Sequence, residues 1–215
     1  EEALANLASV HVETQDFKNA LACYDRLAKM KPDSWSAHEG LAYTAFRMER
    51  YKEAAEHYGQ VVKLNPQSFD GWYNLGATQQ KLGDQGEAAK AYREAARLKP
   101  DAVEPHINLA IALQEAGNES DAVGEYQHAV KLDPNSVVAL YNLALLYEKK
   151  SRDEEAADCY QRLLKQKPDF HDARFRLALA WHKQGEWQKA ADVYSECLEN
   201  KSDWHGKAPS KDDAA

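Results

Sequence analysis

The chain has 215 residues, 44% of them hydrophobic and 29% charged, and its 35 acidic against 27 basic side chains leave a formal net charge of −8. That balance argues against a dedicated nucleic-acid surface. No apolar run approaches the ~20 residues of a membrane helix, and no β-branched, glycine-punctuated stretch reads as strand.

Along the chain, Pro32, Pro66, Pro100, Pro134 and Pro168 recur every 34 residues, and Ala20, Ala54, Ala88, Ala122, Ala156 and Ala190 keep the same step. Tyr24, Tyr58, Tyr92, Tyr126, Tyr160 and Tyr194 follow it too. A fixed period of this length means stacked helical units that share no single core. With the proline at place 32, the repeats are 1–34, 35–68, 69–102, 103–136, 137–170 and 171–204, followed by a tail, 205–215, expected to be flexible. Each repeat reads as two helices, over places 1–14 and 18–31. Asp33, Asp101, Asn135 and Asp169, just after the proline, are expected to cap the next helix.

The first repeat opens with Leu7 and Ala8 but carries Ala5 and Ser9 at places 5 and 9; the second has Glu39 and Gly40 at places 5 and 6. The third has Trp72, Leu75, Gly76, Ala88, Tyr92, Ala95 and Pro100, with Tyr73 and Asn74 beside them. The fourth carries Ile107, Asn108 and Ile111, the fifth Tyr141, Asn142 and Leu145, the sixth Phe175, Arg176 and Leu179. Gly83, Gly117 and Gly185, all at place 15, suit the left-handed turn that closes a helix. Past Lys201 the pattern fails: Ser202 stands where proline is expected. At the other end Glu1 opens directly on a repeat without an initiating Met or leader, which reads as a domain of a longer protein.

A large residue at place 4, Leu at 7, Gly or Ala at 8, Ala at 20, an aromatic at 24 and Pro at 32 together resemble the tetratricopeptide repeat family. The resemblance covers almost the whole chain. It implies an all-α fold, a right-handed superhelix (α-solenoid) of six helix-turn-helix repeats. It also implies a concave groove lined by places 2, 5, 6, 9, 12 and 13 of the first helices, which binds a protein or peptide ligand.

Two stripes fall on those places. Asn6, Asn74, Asn108 and Asn142 form a column, broken by Gly40 and Arg176. Each amide can both donate and accept, so the column suits the backbone of an extended peptide; the repeats of O-GlcNAc transferase resemble this. The same amides would equally well bond a neighbouring helix. The second stripe pairs Ile107 with Ile111, Tyr141 with Leu145 and Phe175 with Leu179, with Tyr73 in line, each pair one helical turn apart. Exposed, it marks a partner site; buried, it is packing between first helices.

Other chemistry is poorly supported. The eight histidines show no His-x-x-x-His spacing, and the three cysteines no ligand spacing, so neither a metal nor a cofactor is expected. Gly-x-Ser-x-Gly and phosphate-binding loops are absent. Three thiols, one odd, suit a cytoplasmic or other reducing compartment. The family's chaperone clamp needs Lys at place 5 and Asn at place 9; neither occurs. The expected function is a non-catalytic scaffold or adaptor. Alternatives are the substrate-recruiting region of a larger enzyme, such as an O-GlcNAc-transferase-like protein, and a self-assembly module forming a homo-oligomer through its terminal repeats or groove.

Overall fold

The computed structural model describes residues 1–199; places 30–34 of the sixth repeat and the 205–215 tail lie outside that range. Among the described residues there is no strand. The helices are α1 (Glu2–Glu13), α2 (Phe17–Met30), α3 (Trp35–Arg47), α4 (Tyr51–Leu64), α5 (Phe69–Leu82), α6 (Gln85–Leu98), α7 (Val103–Glu115), α8 (Glu119–Leu132), α9 (Val137–Lys149), α10 (Asp153–Gln166), α11 (His171–Lys183) and α12 (Trp187–Glu199). Together they make an all-α solenoid of the kind the period implies. The chain divides into two compact units, Glu1–Gly117 and Asn118–Ala215. No described helix is long and apolar enough to cross a membrane.

The repeat's punctuation explains these boundaries. Second helices begin at place 17, one residue earlier than the spacing suggests, and stop two residues before the proline. The expected caps need correcting. Asp33, Asp101, Asn135 and Asp169 do not cap; the N-cap is the following residue. Ser34, Ser68 and Ser136 accept hydrogen bonds from the amides of Ala37, Gly71 and Ala139, while Ala102 and Phe170 offer no side-chain cap. The reason is geometric: the turn after the proline needs one more extended residue before the helix starts. Asp16 and Asp84 cap α2 and α6 by accepting from the amides of Asn19 and Glu87.

Place 15 turns left-handed in all six repeats. Gly83, Gly117 and Gly185 have φ of +79° to +85°, and Gln15, Glu49 and Ser151 reach +54° to +60°. A side chain there meets its own backbone, a strain of roughly 1–2 kcal/mol that glycine escapes. Glu49→Gly and Ser151→Gly should therefore each stabilise their unit by up to about 1 kcal/mol, after the entropy glycine loses on folding. Gly83→Ala should destabilise by a similar amount. Denaturant midpoints at constant m-value test all three.

Small-against-large packing holds the hairpins together. The place-20 alanines are 3% exposed or less, and Tyr58, Tyr92, Tyr126 and Tyr160 are 2% exposed or less. Across a repeat junction, Leu75 packs on Ala42, Tyr58 and Val61 of the repeat before it. At Gly40 a Cβ would lie 2.3 Å from the Tyr24 ring. The Tyr24 ring thus occupies the space that a place-6 side chain would take at this junction.

Candidate functional site

Each unit presents its own part of the predicted surface. In the first, Tyr73, Asn74, Ile107, Asn108 and Ile111 are all half-buried on α5 and α7. The Asn108 Nδ2–H donates to the Tyr73 hydroxyl at 2.8 Å, which ties α7 to α5. Tyr73 also stands edge-on to Tyr92, with ring centroids 5.6 Å apart. Asn74 lines a concavity of about 380 Å³ with Glu39, Tyr43 and Tyr58. Burial there, with Asp70 nearby, raises the Glu39 carboxyl above the usual range.

In the second unit, α9 and α11 carry Tyr141, Asn142, Leu145, Phe175, Arg176 and Leu179. Phe175 is 39% exposed, and Tyr141, Leu145 and Leu179 are half-buried. The two rings lean on the place-24 tyrosines of their own hairpins: Tyr141 on Tyr160 at 6.3 Å and Phe175 on Tyr194 at 5.9 Å. Tyr141 also meets Phe170, with ring centroids 5.0 Å apart, so it is held more fully in the packing than the exposed Phe175 ring. Place 7, two residues from places 5 and 9 and so on the other side of the helix, behaves differently: Leu143 and Leu177 are 4% exposed or less.

The Asn column does not form a uniform ladder. Asn142 Nδ2–H donates to the Val138 carbonyl of its own helix, at 3.0 Å, and Asn6 is exposed on α1. Arg176 is also engaged. Its guanidinium pairs with Asp172 at 2.7 Å and Glu148 at 2.8 Å, and the Tyr141 hydroxyl donates to the same Asp172 oxygen at 2.7 Å. This network fixes α11 against α9 and fixes the Tyr141 ring beneath the apolar set. Neither Asp172, which the sequence offers only as a place-2 carboxylate suited to its helix dipole, nor Glu148 is among the predicted site residues. Their one signal is that places 2 and 12 would lie beside an Arg at place 6. Of the place-13 cations, Lys149 pairs with Glu119, Lys183 with Asp153 at 3.5 Å, and Arg47 donates to the Tyr43 hydroxyl at 2.8 Å.

Among the described residues no group of three or more His, Cys, Asp or Glu side chains could hold a metal ion. Cys159 is buried, which pushes its thiol up to about 12 and away from redox chemistry. Two histidines do meet. His38 Nε2–H donates to the Pro32 carbonyl at 3.1 Å, which leaves His38 Nδ1 to accept from His57 Nδ1–H at 3.2 Å. Burial and then the neighbouring His38 lower the His57 pKa, against the pull of Glu53, Glu56 and Asp25. Lowered in the fold, this group resists a proton that the unfolded chain takes. Its contribution to stability is full above the unfolded pKa of about 6.5 and is lost as pH falls through the folded one. Denaturant midpoints should drop from pH 7.5 to 5.5, and less so in His57→Gln; equal slopes would refute the assignment.

The family model for the tetratricopeptide repeat matches residues 6–58, 40–103, 107–169 and 154–203. No curated protein matches the chain. Among solved structures, a MamA protein is 20% identical, with 83% of this chain and 99% of that one covered and a TM-score of 0.73. YrrB, described as a TPR protein with an unusual peptide-binding site, is 22% identical over 85% of this chain and 90% of that one, with a TM-score of 0.71. PilF of Pseudomonas aeruginosa is 16% identical over 94% and 92%, with a TM-score of 0.69. At these identities the likeness is one of fold. The family match itself spans most of the sequence, and the protein belongs to the tetratricopeptide repeat family.

Proposed function

We propose that this chain is a non-catalytic interaction scaffold that captures an extended peptide segment of a partner protein on its first-helix faces. The observation that carries this reading is the half-exposed set Tyr141, Leu145, Phe175 and Leu179, at places where a purely structural role would have buried them. These side chains suit an apolar or aromatic residue of the partner. Asp172 and Glu148 outnumber Arg176 beside them, so the neighbouring partner residues should be neutral or basic. In the first unit, Asn74 lies in its own concavity beside Glu39 and Tyr43, where its amide suits a peptide backbone as a contact of that unit alone. The peptide-binding description of YrrB supports the reading by analogy of fold.

The test is selection of peptides from a random library on the intact chain, followed by amide-shift mapping of a selected peptide. Perturbations should gather on α9 and α11 around Leu145 and Phe175. Selection of no peptide, or perturbations confined to α10, would overturn the proposal.

A further inference from the structure

Place 5 holds Ala5, Tyr73, Ile107, Tyr141 and Phe175 in the other repeats, but Glu39 in the second. Glu39 is half-buried on α3, in the concavity it shares with Glu13, Tyr43, Tyr58 and Asn74. All of these lie within the first unit. A carboxylate taken partly out of water needs a cation or hydrogen-bond donors beside it. Glu39 has neither among the described residues: burial and then Asp70 raise its carboxyl, and nothing lowers it again. Arg47, about two turns along the same helix, is spent elsewhere. Its guanidinium donates to the Tyr43 hydroxyl and lies over the Phe17 ring, 5.0 Å from the centroid.

A second group at the same place is also unpaired. Tyr58 is 2% exposed, yet its hydroxyl has no hydrogen bond among the described residues. The sequence explains why. In the third repeat the equivalent Tyr92 hydroxyl donates to Gln80, at place 12. In the second repeat place 12 is Phe46, which has no acceptor and stands edge-on to Tyr51 at 5.4 Å. Burial, then Glu39 and Tyr43, raise the Tyr58 phenol, so its hydroxyl lies on their side, at the floor of the concavity. The Tyr160 hydroxyl is sealed in the packing; that of Tyr58 reaches the cavity. It stays neutral there and offers two lone pairs. The Asn74 amide is likewise unengaged among the described residues, whereas those of Asn108 and Asn142 are bonded.

We propose that this concavity binds one cationic side chain, arginine or lysine, of the partner segment. Glu39 pairs with its charge, the Tyr58 hydroxyl accepts from it, and the Asn74 amide holds the backbone beside it. This rests on the reading of the first-helix faces as peptide-binding, and it names the residue that the first unit takes. Charge selects that residue. Glu13 and Glu39 line the concavity, Asp70 stands near, and the lining contains no Lys, Arg or His. The same carboxylates repel an anion. An apolar side chain would cover Glu39 and Tyr58 and leave both without a partner.

The experiment is an amide-shift titration of the full 215-residue chain with N-acetyl-arginine amide. N-acetyl-citrulline amide, which keeps the shape and loses the charge, is the reference. The arginine probe should shift amides around Glu39, Tyr43 and Asn74 saturably, and bind about tenfold or more tighter than the citrulline probe. Glu39→Gln should abolish that preference and leave the melting temperature unchanged or higher, because it removes an unpaired charge. Tyr58→Phe should weaken the arginine probe about three- to tenfold without unfolding, since the hydroxyl has no internal bond to lose. Glu154→Gln removes an exposed carboxylate from α10 and should change nothing, which controls for net charge. Equal affinity of the two probes overturns the proposal. So do shifts centred away from Glu39, or equal losses in Glu39→Gln and Glu154→Gln. The probe has no apolar side chain, so its result is separate from that on α9 and α11. Selected peptides that bind around Leu145 and Phe175, with no probe held at Glu39, would overturn this inference alone. A probe held at Glu39 supports it even if no selected peptide perturbs Leu145 and Phe175.

Discussion

Tyr92→Ala should lower the stability of the Glu1–Gly117 unit by about 3–5 kcal/mol, the usual loss when a large ring is truncated in a core. Tyr92 is 1% exposed, its ring abuts the Gly76 backbone and the Tyr73 edge, and its hydroxyl donates to Gln80 Oε1 at 3.1 Å. The surrounding backbone is already in close contact, so the cavity has little room to collapse. Helices pack mainly on their sequence neighbours, so the loss should be local. Amide exchange should speed first in α5, α6 and α7, while α9–α11 stay protected. Tyr92→Phe should cost about 1 kcal/mol for the lost bond. Tyr160→Phe should cost less or even stabilise, because the buried Tyr160 hydroxyl has no hydrogen-bond partner in the structure. Equal losses for the two Tyr→Phe variants would mean that the buried Tyr160 hydroxyl is satisfied after all, by a bridging water or by Glu148.

The fold was legible because the period repeats one physical problem six times. Ala20, Tyr24 and their equivalents are constrained by interhelix distance, and Gly83 by backbone sign, so residue identity alone reports them. Gln15, Glu49 and Ser151 show where this stops: the turn stays left-handed although the residue gives no sign of it. The caps were misplaced by one residue because Asp33, Asp101, Asn135 and Asp169 are good cap types by identity, whereas the turn after the proline starts the helix one residue later, whether that residue is Ser34 or Ser136 or the non-capping Ala102 or Phe170. The site was legible as a face and not as a network. Places 5 and 9 revealed the apolar pairs, but Asn108, Asn142 and Arg176 satisfy themselves through Tyr73, Val138, Asp172 and Glu148. A column of identical side chains says nothing about such bonds, because each depends on which neighbour lies within about 3 Å.

Leu145→Ser combined with Phe175→Ser should reduce capture of selected peptides by about a hundredfold or more. Each side chain that becomes fully buried on binding contributes roughly 1.5–3 kcal/mol, and 1.4 kcal/mol is a factor of ten in affinity. Both residues lie on the α9–α11 face, where Tyr141 and the Asp172–Arg176 pair hold the surface rigid, so little binding energy goes into ordering it. Both are also partly exposed already, so the substitutions should leave helicity near wild type, although Phe175 gives up its contact with Tyr194. Two comparisons separate binding from folding. Asn142→Ala should change affinity little, since its amide is spent on the Val138 carbonyl. Lys149→Ala removes an exposed charge paired with Glu119 and should act weakly on both stability and affinity. If the double variant unfolds, the two side chains belong to the packing; if it folds and still captures the peptides at wild-type strength, the ligand lies on another face.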